Sequence, residues 1–135
     1  MRYISDSAER TRQIAAELLK TFPDGATVCL DGEMGAGKTV FVQGCMQALG
    51  YTGRVTSPTF ALCNEYMTEE KKIMHYDLCR ITDEDDLYST GFYDSDADLI
   101  FVEWAGANCD GFENAVHIRF SYGKDENERV IETDD

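Results

Sequence analysis

The chain has 135 residues and carries 26 acidic against 12 basic side chains, a formal net charge of −14. Its length predicts one domain, residues 1–135, and the lack of a transmembrane-length apolar run or a cleavable signal predicts a cytoplasmic protein with no membrane partner. The charge excludes a direct, strong nucleic-acid binder, since most of the surface would repel phosphates, and it indicates either a basic partner or solubility alone.

Hydrophobic periodicity predicts helices and strands along the whole chain. Apolar residues at helical spacing indicate helices over 6–22 and 38–49, and a short acidic helix is predicted over 83–89. Alternating or continuous apolar runs predict strands at 26–31, 59–67, 72–78, 98–103, 115–122 and 128–133. Asp6 and Glu9 have the spacing of a capping box, and Gly50 marks the end of the second helix.

The order of these elements, with the segment Gly-Glu-Met-Gly-Ala-Gly-Lys-Thr at 32–39 between the first strand and the second helix, predicts a small α/β fold of the P-loop NTPase type. We expect a mixed sheet with a parallel centre, antiparallel flanking strands and helices on both faces. The strands at 26–31 and 98–103 should end on the same side of that sheet. In open α/β sheets, ligands bind at the carboxyl ends of the central strands, so the functional site is expected there.

Residues 32–39, Gly-Glu-Met-Gly-Ala-Gly-Lys-Thr, match the phosphate-binding pattern G-x-x-x-x-G-K-[ST] at every required position. The glycines lack a Cβ, so the backbone amides can turn inward around a phosphate. Lys38 would add a charge for the β- and γ-phosphates, and the Thr39 hydroxyl would hold Mg²⁺. A predicted strand precedes the segment and a predicted helix follows it. This context favours a nucleotide phosphate site over a ligand-free turn.

A phosphate loop needs a further acid for Mg²⁺ at the end of an apolar strand, and two residues qualify. Glu103, after Leu-Ile-Phe-Val, is expected to hold the metal directly or through water, while Asp77 would orient the attacking water or a metal-bound water. Which acid contacts the metal directly stays open. His75 alternates with Asp77, although a lone strand histidine is more often structural than catalytic. Trp104 would line the site, form a partner surface or simply pack in a loop.

The connection after the second helix offers further candidates. Ser57 and Thr59 carry hydroxyls in the position where small NTPases contact the γ-phosphate and move with nucleotide state, although composition alone favours a plain proline turn. Arg54 and Arg80 are possible γ-phosphate contacts, but a surface position is the default for an arginine.

Together these motifs resemble the TsaE (YjeE) family, the small bacterial ATPases of tRNA threonylcarbamoyladenosine biosynthesis. The resemblance rests on the phosphate loop, Ser-Pro-Thr-Phe at 57–60, His-Tyr-Asp-Leu-Cys-Arg at 75–80 and Glu-Trp at 103–104, and it extends over residues 11–129. It implies a Mg²⁺-dependent ATPase that is slow alone. Lys38, Asp77 and Glu103 would be catalytic, Thr39 and Glu103 would bind Mg²⁺, and Trp104 would lie beside the nucleotide. The residues implied to bind ATP are Gly35, Ala36, Gly37, Lys38, Thr39 and Val40.

The resemblance also implies partners. Family members work with TsaD and TsaB, which transfer a threonylcarbamoyl group from an adenylate made by TsaC to adenine 37 of tRNAs that read codons starting with A. The chain would act on the TsaD–TsaB complex rather than on the base, and it would meet tRNA only through that complex. No motif identifies the adenine pocket, for which the N-terminal helix and the last hairpin near Gly123 are candidates.

Other classes fit the sequence less well. A GTP-dependent switch protein would need an N-K-x-D-like guanine reader, which the chain lacks. A small-molecule kinase usually has an arginine-rich lid over the transferred phosphate, for which the chain has too few residues and arginines. The remaining alternative is a nucleotide-binding module without catalysis.

The five cysteines form no C-x-x-C pair, which argues against a zinc site or a disulfide framework.

Overall fold

The structure is a computed structural model, and it describes residues 1–33, 36–56, 63–77, 96–104 and 115–133, with only the main chain of Trp104. Within these ranges the elements in chain order are β1 (Arg2–Ser5), α1 (Ala8–Leu19), β2 (Ala26–Gly32), α2 (Lys38–Ala48), β3 (Cys63–Met67), β4 (Lys72–Asp77), β5 (Leu99–Trp104), β6 (Val116–Tyr122) and β7 (Arg129–Thr133).

The described strands form one mixed sheet in the order β1–β7–β6–β2–β5–β4–β3. The neighbours β6, β2, β5 and β4 are parallel. Antiparallel pairing adds β3 at one side and β7 and then β1 at the other. The predicted parallel centre, antiparallel flanks and both hairpins are therefore confirmed. The carboxyl ends of the four parallel strands share one edge of the sheet, so their terminal side chains lie close together.

Both described helices lie on the same face of the sheet. Their buried side chains join Val28 and Leu30 of β2 in the main core. Cys29, which lies between those two residues, belongs instead to a smaller cluster with Tyr76, Ile100 and Val102. Alternate residues of a strand point to opposite faces, so the smaller cluster marks the second face. The helix predicted over 83–89 lies outside the described residues.

Helix α1 begins with a different cap from the one the sequence suggested. Ser7 is the N-cap residue, with extended backbone, and its hydroxyl accepts a hydrogen bond from the Arg10 amide at 3.0 Å. The prediction of a capping box starting at Asp6 is therefore wrong by one residue. Serine and aspartate are nearly equal as caps, so composition alone did not separate them. Ala8, the first residue of α1, is exposed.

Strand β1 was not predicted, and it closes one side of the sheet by pairing with β7 from Arg2–Glu132 to Ser5–Arg129. Helix α2 matches its prediction closely, since it ends at Ala48 and is followed by Gly50 with a φ of 84°. The first part of the predicted strand at 59–67 lies outside the described residues, and its second part is β3. Among the described helices, none is both long enough and apolar enough to cross a membrane.

Candidate functional site

The phosphate-loop segment connects the carboxyl end of β2 to the first turn of α2. Gly37 is the N-cap of α2, with a φ of 107°, a left-handed conformation that favours glycine. Among the residues that the structure describes, no side chain caps this helix end. The first backbone amides of α2, with the positive end of its dipole, are therefore available to an anion. Ala36 is buried, and its amide donates to the Glu33 carbonyl at 3.1 Å, which tightens the loop.

Gly32 is required by the sheet as well as by the loop. It is the last residue of β2 and pairs with Phe120 of β6. A Cβ on Gly32 would lie 2.6 Å from the Phe120 carbonyl oxygen, which is main chain and cannot swing away. A glycine here allows the two parallel strands to stay together where the phosphate loop leaves the sheet.

Lys38 points its ammonium group back into the loop. Its Nζ donates to the Gly32 carbonyl oxygen at 2.6 Å. Among the described residues no carboxylate forms an ion pair with it. Within the described part of the chain, the positive charge is therefore held at the loop without a carboxylate partner. In a protein with a net charge of −14, this is the arrangement that a phosphate ligand requires.

A cavity of about 410 Å³ lies beside this helix end. Its walls are the beginnings of both helices and the last hairpin, namely Asp6, Ser7, Ala8, Thr11, Gly37, Val40, Asn127 and Arg129. The volume lies within the usual range for small-molecule sites. Its walls include both candidate segments for the adenine pocket, and the identity of its occupant stays a prediction.

Two walls of this cavity are fixed by contacts of their own. The hydroxyl groups of Ser5 and Thr11 lie 2.7 Å apart in a buried contact, which holds the start of α1 against β1. Arg129 donates from Nη1 to the carbonyls of Glu126 at 2.7 Å and Glu128 at 3.0 Å. Its guanidinium also lies 4.4 Å from the centre of the Tyr122 ring, a cation–π contact. The arginine is thus oriented at the cavity rather than freely mobile.

The two acids predicted for the site come together at the carboxyl edge of the sheet. Asp77 ends β4, and its Cα is paired with that of Glu103 on β5. Glu103 is also paired with Leu30, which lies two residues before Gly32 on β2. Leu30 belongs to the core on the helix side. Residues in register on parallel strands share a face, so both acids point to the side on which α2 begins.

Glu103 is buried and held by a histidine. Its Oε2 lies 2.8 Å from Nε2 of His75, which is fully buried, and His75 Nδ1 lies 3.1 Å from the Tyr66 hydroxyl. The Tyr66 hydroxyl is also 3.3 Å from the Thr56 carbonyl oxygen. Burial raises the pKa of the Tyr66 phenol, which keeps it protonated near neutral pH. A chain of contacts therefore links Glu103 to the loop before β3.

The oxygen donors present fit a Mg²⁺ ion that arrives with a nucleotide. Within the described part of the chain, no group of three or more His, Cys, Asp or Glu side chains is arranged to hold a metal ion alone. Mg²⁺ usually binds one or two carboxylates together with substrate phosphates and water. Thr39 in the first turn of α2 and Glu103 at the end of β5 are hard oxygen donors of this kind.

Comparison with known proteins identifies the family. The model of the family described as "Threonylcarbamoyl adenosine biosynthesis protein TsaE" matches residues 5–131. The chain belongs to the TsaE family. TsaE of Aquifex aeolicus is 39% identical over 103 residues, which cover 75% of this chain and 74% of that protein. TsaE of Haemophilus influenzae is 36% identical over 110 residues, covering 76% and 69%. The crystal structure of Bacillus subtilis YdiB has a TM-score of 0.73 at 26% identity, covering 98% of this chain and 83% of that one.

The structure brings together part of the site that the TsaE resemblance implied. Ala36, Gly37, Lys38, Thr39 and Val40 lie around the start of α2. Asp77 and Glu103 lie at the neighbouring strand ends, and the main chain of Trp104 ends β5, in register with Asp31. Arg54 is exposed on the loop after α2. The remaining predicted site residues, Gly35, Ser57, Thr59 and Arg80, lie outside the described residues.

Two residues of this TsaE site were missed from the sequence. The sequence placed Tyr66 in a predicted strand, close behind the Ser-Pro-Thr-Phe motif at 57–60, but it assigned Tyr66 no contact, and its contact with His75 depends on the register of β3 on β4. Arg129 lies on the cavity wall because β7 folds back beside α1, although it is distant from the phosphate loop in sequence. No local motif marks Arg129, and none marks the contact between Tyr66 and His75. His75 was considered structural by default, whereas it directly contacts the predicted metal acid.

Proposed function

We propose that this chain is a Mg²⁺-dependent ATPase that serves the N6-threonylcarbamoyl modification of adenine 37 in tRNAs reading codons that start with A. It acts on the TsaD–TsaB complex and not on the base. The names of its relatives support the pathway, since each is a tRNA threonylcarbamoyladenosine biosynthesis protein. The hydrolysis and the partners are proposed from the site and the resemblance.

The observation that carries the proposal is the charge arrangement at the start of α2. Lys38 lies in the loop without a carboxylate partner among the described residues, beside uncapped helix amides. Within the described residues, no ion pair accounts for a cation at that point. A triphosphate would supply the missing negative charge, with its β- and γ-phosphates on Lys38 and the amides of residues 35–40.

The cavity beside α2 would hold the nucleoside. A phosphate bound at Gly37 is adjacent to the cavity wall, because Gly37 belongs to both. The base and ribose would then extend toward Thr11 and Arg129. Arg129 can stack on a base or contact a phosphate, and its two main-chain acceptors restrict how it moves.

Hydrolysis would use the acids at the sheet edge. Thr39 and Glu103 would hold the Mg²⁺, which would neutralise charge that develops on the phosphates. Asp77, in register with Glu103, would orient the attacking water or a water of the metal. Isolated turnover should be slow, because a partner that completes the site is a common way to accelerate phosphoryl transfer.

The first test is hydrolysis by the pure chain, with and without TsaD and TsaB, with GTP as a control nucleotide. ATP-selective turnover that rises on addition of the pair supports the proposal. Turnover that ignores the pair, or that prefers GTP, contradicts it and favours a switch protein. Nucleotide binding without any turnover, with or without the pair, contradicts the enzyme and favours a binding module.

Lys38→Ala tests the phosphate site itself. We expect ATP affinity to fall about 10- to 100-fold, the range for loss of a hydrogen bond to a charged group, as measured by calorimetry. Lys20→Ala is the matched control, because Lys20 is exposed at the end of α1 and should leave affinity unchanged. Normal ATP binding and hydrolysis by Lys38→Ala would show that the loop is not the phosphate site.

A further inference from the structure

The contact between His75 and Glu103 is unusual for a sheet interior. Both residues are buried, at 0% and 6% exposure, and their atoms Nε2 and Oε2 are 2.8 Å apart. Placing a carboxylate in a core is costly unless it is hydrogen-bonded, and an apolar pair would fill the same space more cheaply. The pair lies at the carboxyl edge of the sheet, next to the phosphate loop, which is where a fixed carboxylate has a use.

The protons of this chain of contacts can be assigned from donor and acceptor chemistry. A carboxylate only accepts, so His75 must carry its proton on Nε2 to bond to Glu103. In the neutral ring, Nδ1 then accepts from the Tyr66 hydroxyl. In the charged ring, Nδ1 donates to the Tyr66 oxygen, and that hydroxyl donates to the Thr56 carbonyl at 3.3 Å. With Tyr66 at Nδ1, the proton on Nε2 therefore points to Glu103 in both the neutral and the charged form of His75.

Two neighbouring aromatic rings also restrict the orientation of the His75 ring. It contacts the Tyr66 ring with 5.9 Å between centroids and the Phe101 ring with 6.4 Å. Phe101 lies on β5, two residues before Glu103. The same strand therefore carries both the Glu103 carboxylate and a ring that packs against His75. The imidazole can therefore neither flip nor withdraw without disturbing the core.

We propose that His75 and Tyr66 are positioning residues that hold Glu103 through Oε2 and so present its Oε1 to the metal. Within the described residues, His75 is the side chain that hydrogen-bonds to Glu103, which leaves Oε1 for a ligand. The inference rests on the proposed function, because it supposes that Glu103 binds Mg²⁺. Partners that orient metal-binding groups in this way commonly change metal affinity about 10- to 100-fold when removed.

The test measures how much Mg²⁺ strengthens nucleotide binding. Calorimetry gives the dissociation constant of a non-hydrolysable ATP analogue in EDTA and in saturating Mg²⁺, and the ratio of the two is the metal contribution. In His75→Asn the side-chain amide can occupy the Nδ1 position but cannot reach the Nε2 position, so the hydrogen bond to Glu103 is lost. The ratio should therefore fall about 10- to 100-fold, while affinity in EDTA stays unchanged. His75→Gln can reach Glu103 with its amide and should recover most of the ratio.

Tyr66→Phe is the second variant, because it keeps the ring and removes only the hydroxyl that supports the tautomer. It should lower the same ratio by about tenfold, which keeps the inference testable if His75→Asn does not fold. The matched controls are His117→Asn on β6 and Tyr3→Phe on β1, which should leave the ratio unchanged. Mn²⁺ in place of Mg²⁺ adds a spectroscopic readout, since loss of Glu103 alignment should change its electron paramagnetic resonance spectrum.

The outcomes separate the inference from the proposed function. If the parent chain shows a ratio well above one and folded His75→Asn and Tyr66→Phe retain it, the positioning role is wrong while the metal-dependent site stands. If the parent ratio is one, no protein group strengthens Mg²⁺ binding and the inference is overturned. If the parent chain binds the nucleotide neither in EDTA nor in saturating Mg²⁺, the proposed function itself fails.

Discussion

At the scale of single residues, two charged side chains beside the carboxyl edge of the sheet are held by different kinds of partner. Lys38 is held by a main-chain carbonyl in the loop, whereas Glu103 is held by a side chain in the core. Among the described residues, Lys38 has no carboxylate partner. Glu103, in contrast, is fixed in one position and almost completely shielded from water. Both are expected in a site where an anionic ligand and a cation arrive together, because preorganised charges need little rearrangement when the ligand binds.

Substitution of the two acids should distinguish their roles. Glu103→Gln keeps an acceptor for His75 but removes the charge, so the Mg²⁺ contribution to nucleotide affinity should fall at least about tenfold, with affinity in EDTA unchanged. Asp77→Asn should lower turnover more than it lowers this contribution, because it would act on water. Calorimetry and a phosphate-release assay measure the two effects. Glu65→Gln, at an exposed position of β3, is the control.

The opposite result would reassign the metal. If Asp77→Asn abolishes the Mg²⁺ contribution and Glu103→Gln leaves it intact, then Asp77 holds the ion. The contact between His75 and Glu103 would then serve another purpose. The sequence alone left this choice open, since each acid follows an apolar strand. The structure adds that Glu103, unlike Asp77, is buried.

At the scale of elements, the fit between α1 and α2 determines the shape of the cavity. Gly44 on α2 faces α1, and a Cβ there would lie 2.6 Å from the Cα and carbonyl oxygen of Arg12 and 2.9 Å from the Ala15 Cβ. The two helices can approach this closely only because Gly44 has no side chain. The cavity wall includes the first turns of both helices, so their separation affects the ligand site directly.

Gly44→Ala should therefore be destabilising, although alanine is the better helix former by about 1 kcal/mol. The clash is with main-chain atoms, so the helices must separate, at a cost of about 1–3 kcal/mol in the free energy of unfolding. Denaturant titration measures this, and nucleotide affinity should fall in parallel. Gln47→Ala, on the exposed side of α2, should be close to neutral. A stabilised Gly44→Ala variant would show that the helices do not depend on this contact.

Elements were predictable where their signal is local. The phosphate loop, α2 and both hairpins follow from short patterns, because their glycines, turns and apolar spacing are contiguous in the chain. β1 was missed because it is four residues long and pairs with β7 from the opposite end of the sequence. The contact of Tyr66 with His75 and the position of Arg129 likewise arise from register and topology. Such contacts carry no signature in either segment alone.

At the scale of the whole molecule, the sheet order explains why distant segments form one site. β2, β5 and β4 are neighbours and parallel, so the phosphate loop, Glu103 and Asp77 share one edge although they are far apart in sequence. The return of β6 and β7 on the other side of β2 brings the last hairpin to the cavity beside α1. A nucleotide bound there would contact both halves of the chain, so binding should stabilise the fold as a unit.

The net charge of −14 also acts on the molecule as a whole, and it predicts how the chain meets RNA. The isolated chain should not retain tRNA in a filter-binding assay at about 0.1 M salt, because like charges still repel within the Debye length of about 10 Å and the acidic surface offers little to bind phosphates. With TsaD and TsaB present, tRNA retention should appear, and the chain should co-purify with that complex. Single-stranded DNA of similar length serves as the control polyanion. Tight tRNA binding by the chain alone, with a steep loss of affinity as salt rises, would reveal a local basic surface that outweighs the overall charge. In that case the chain would contact the RNA itself, and its role would not be confined to the protein partners.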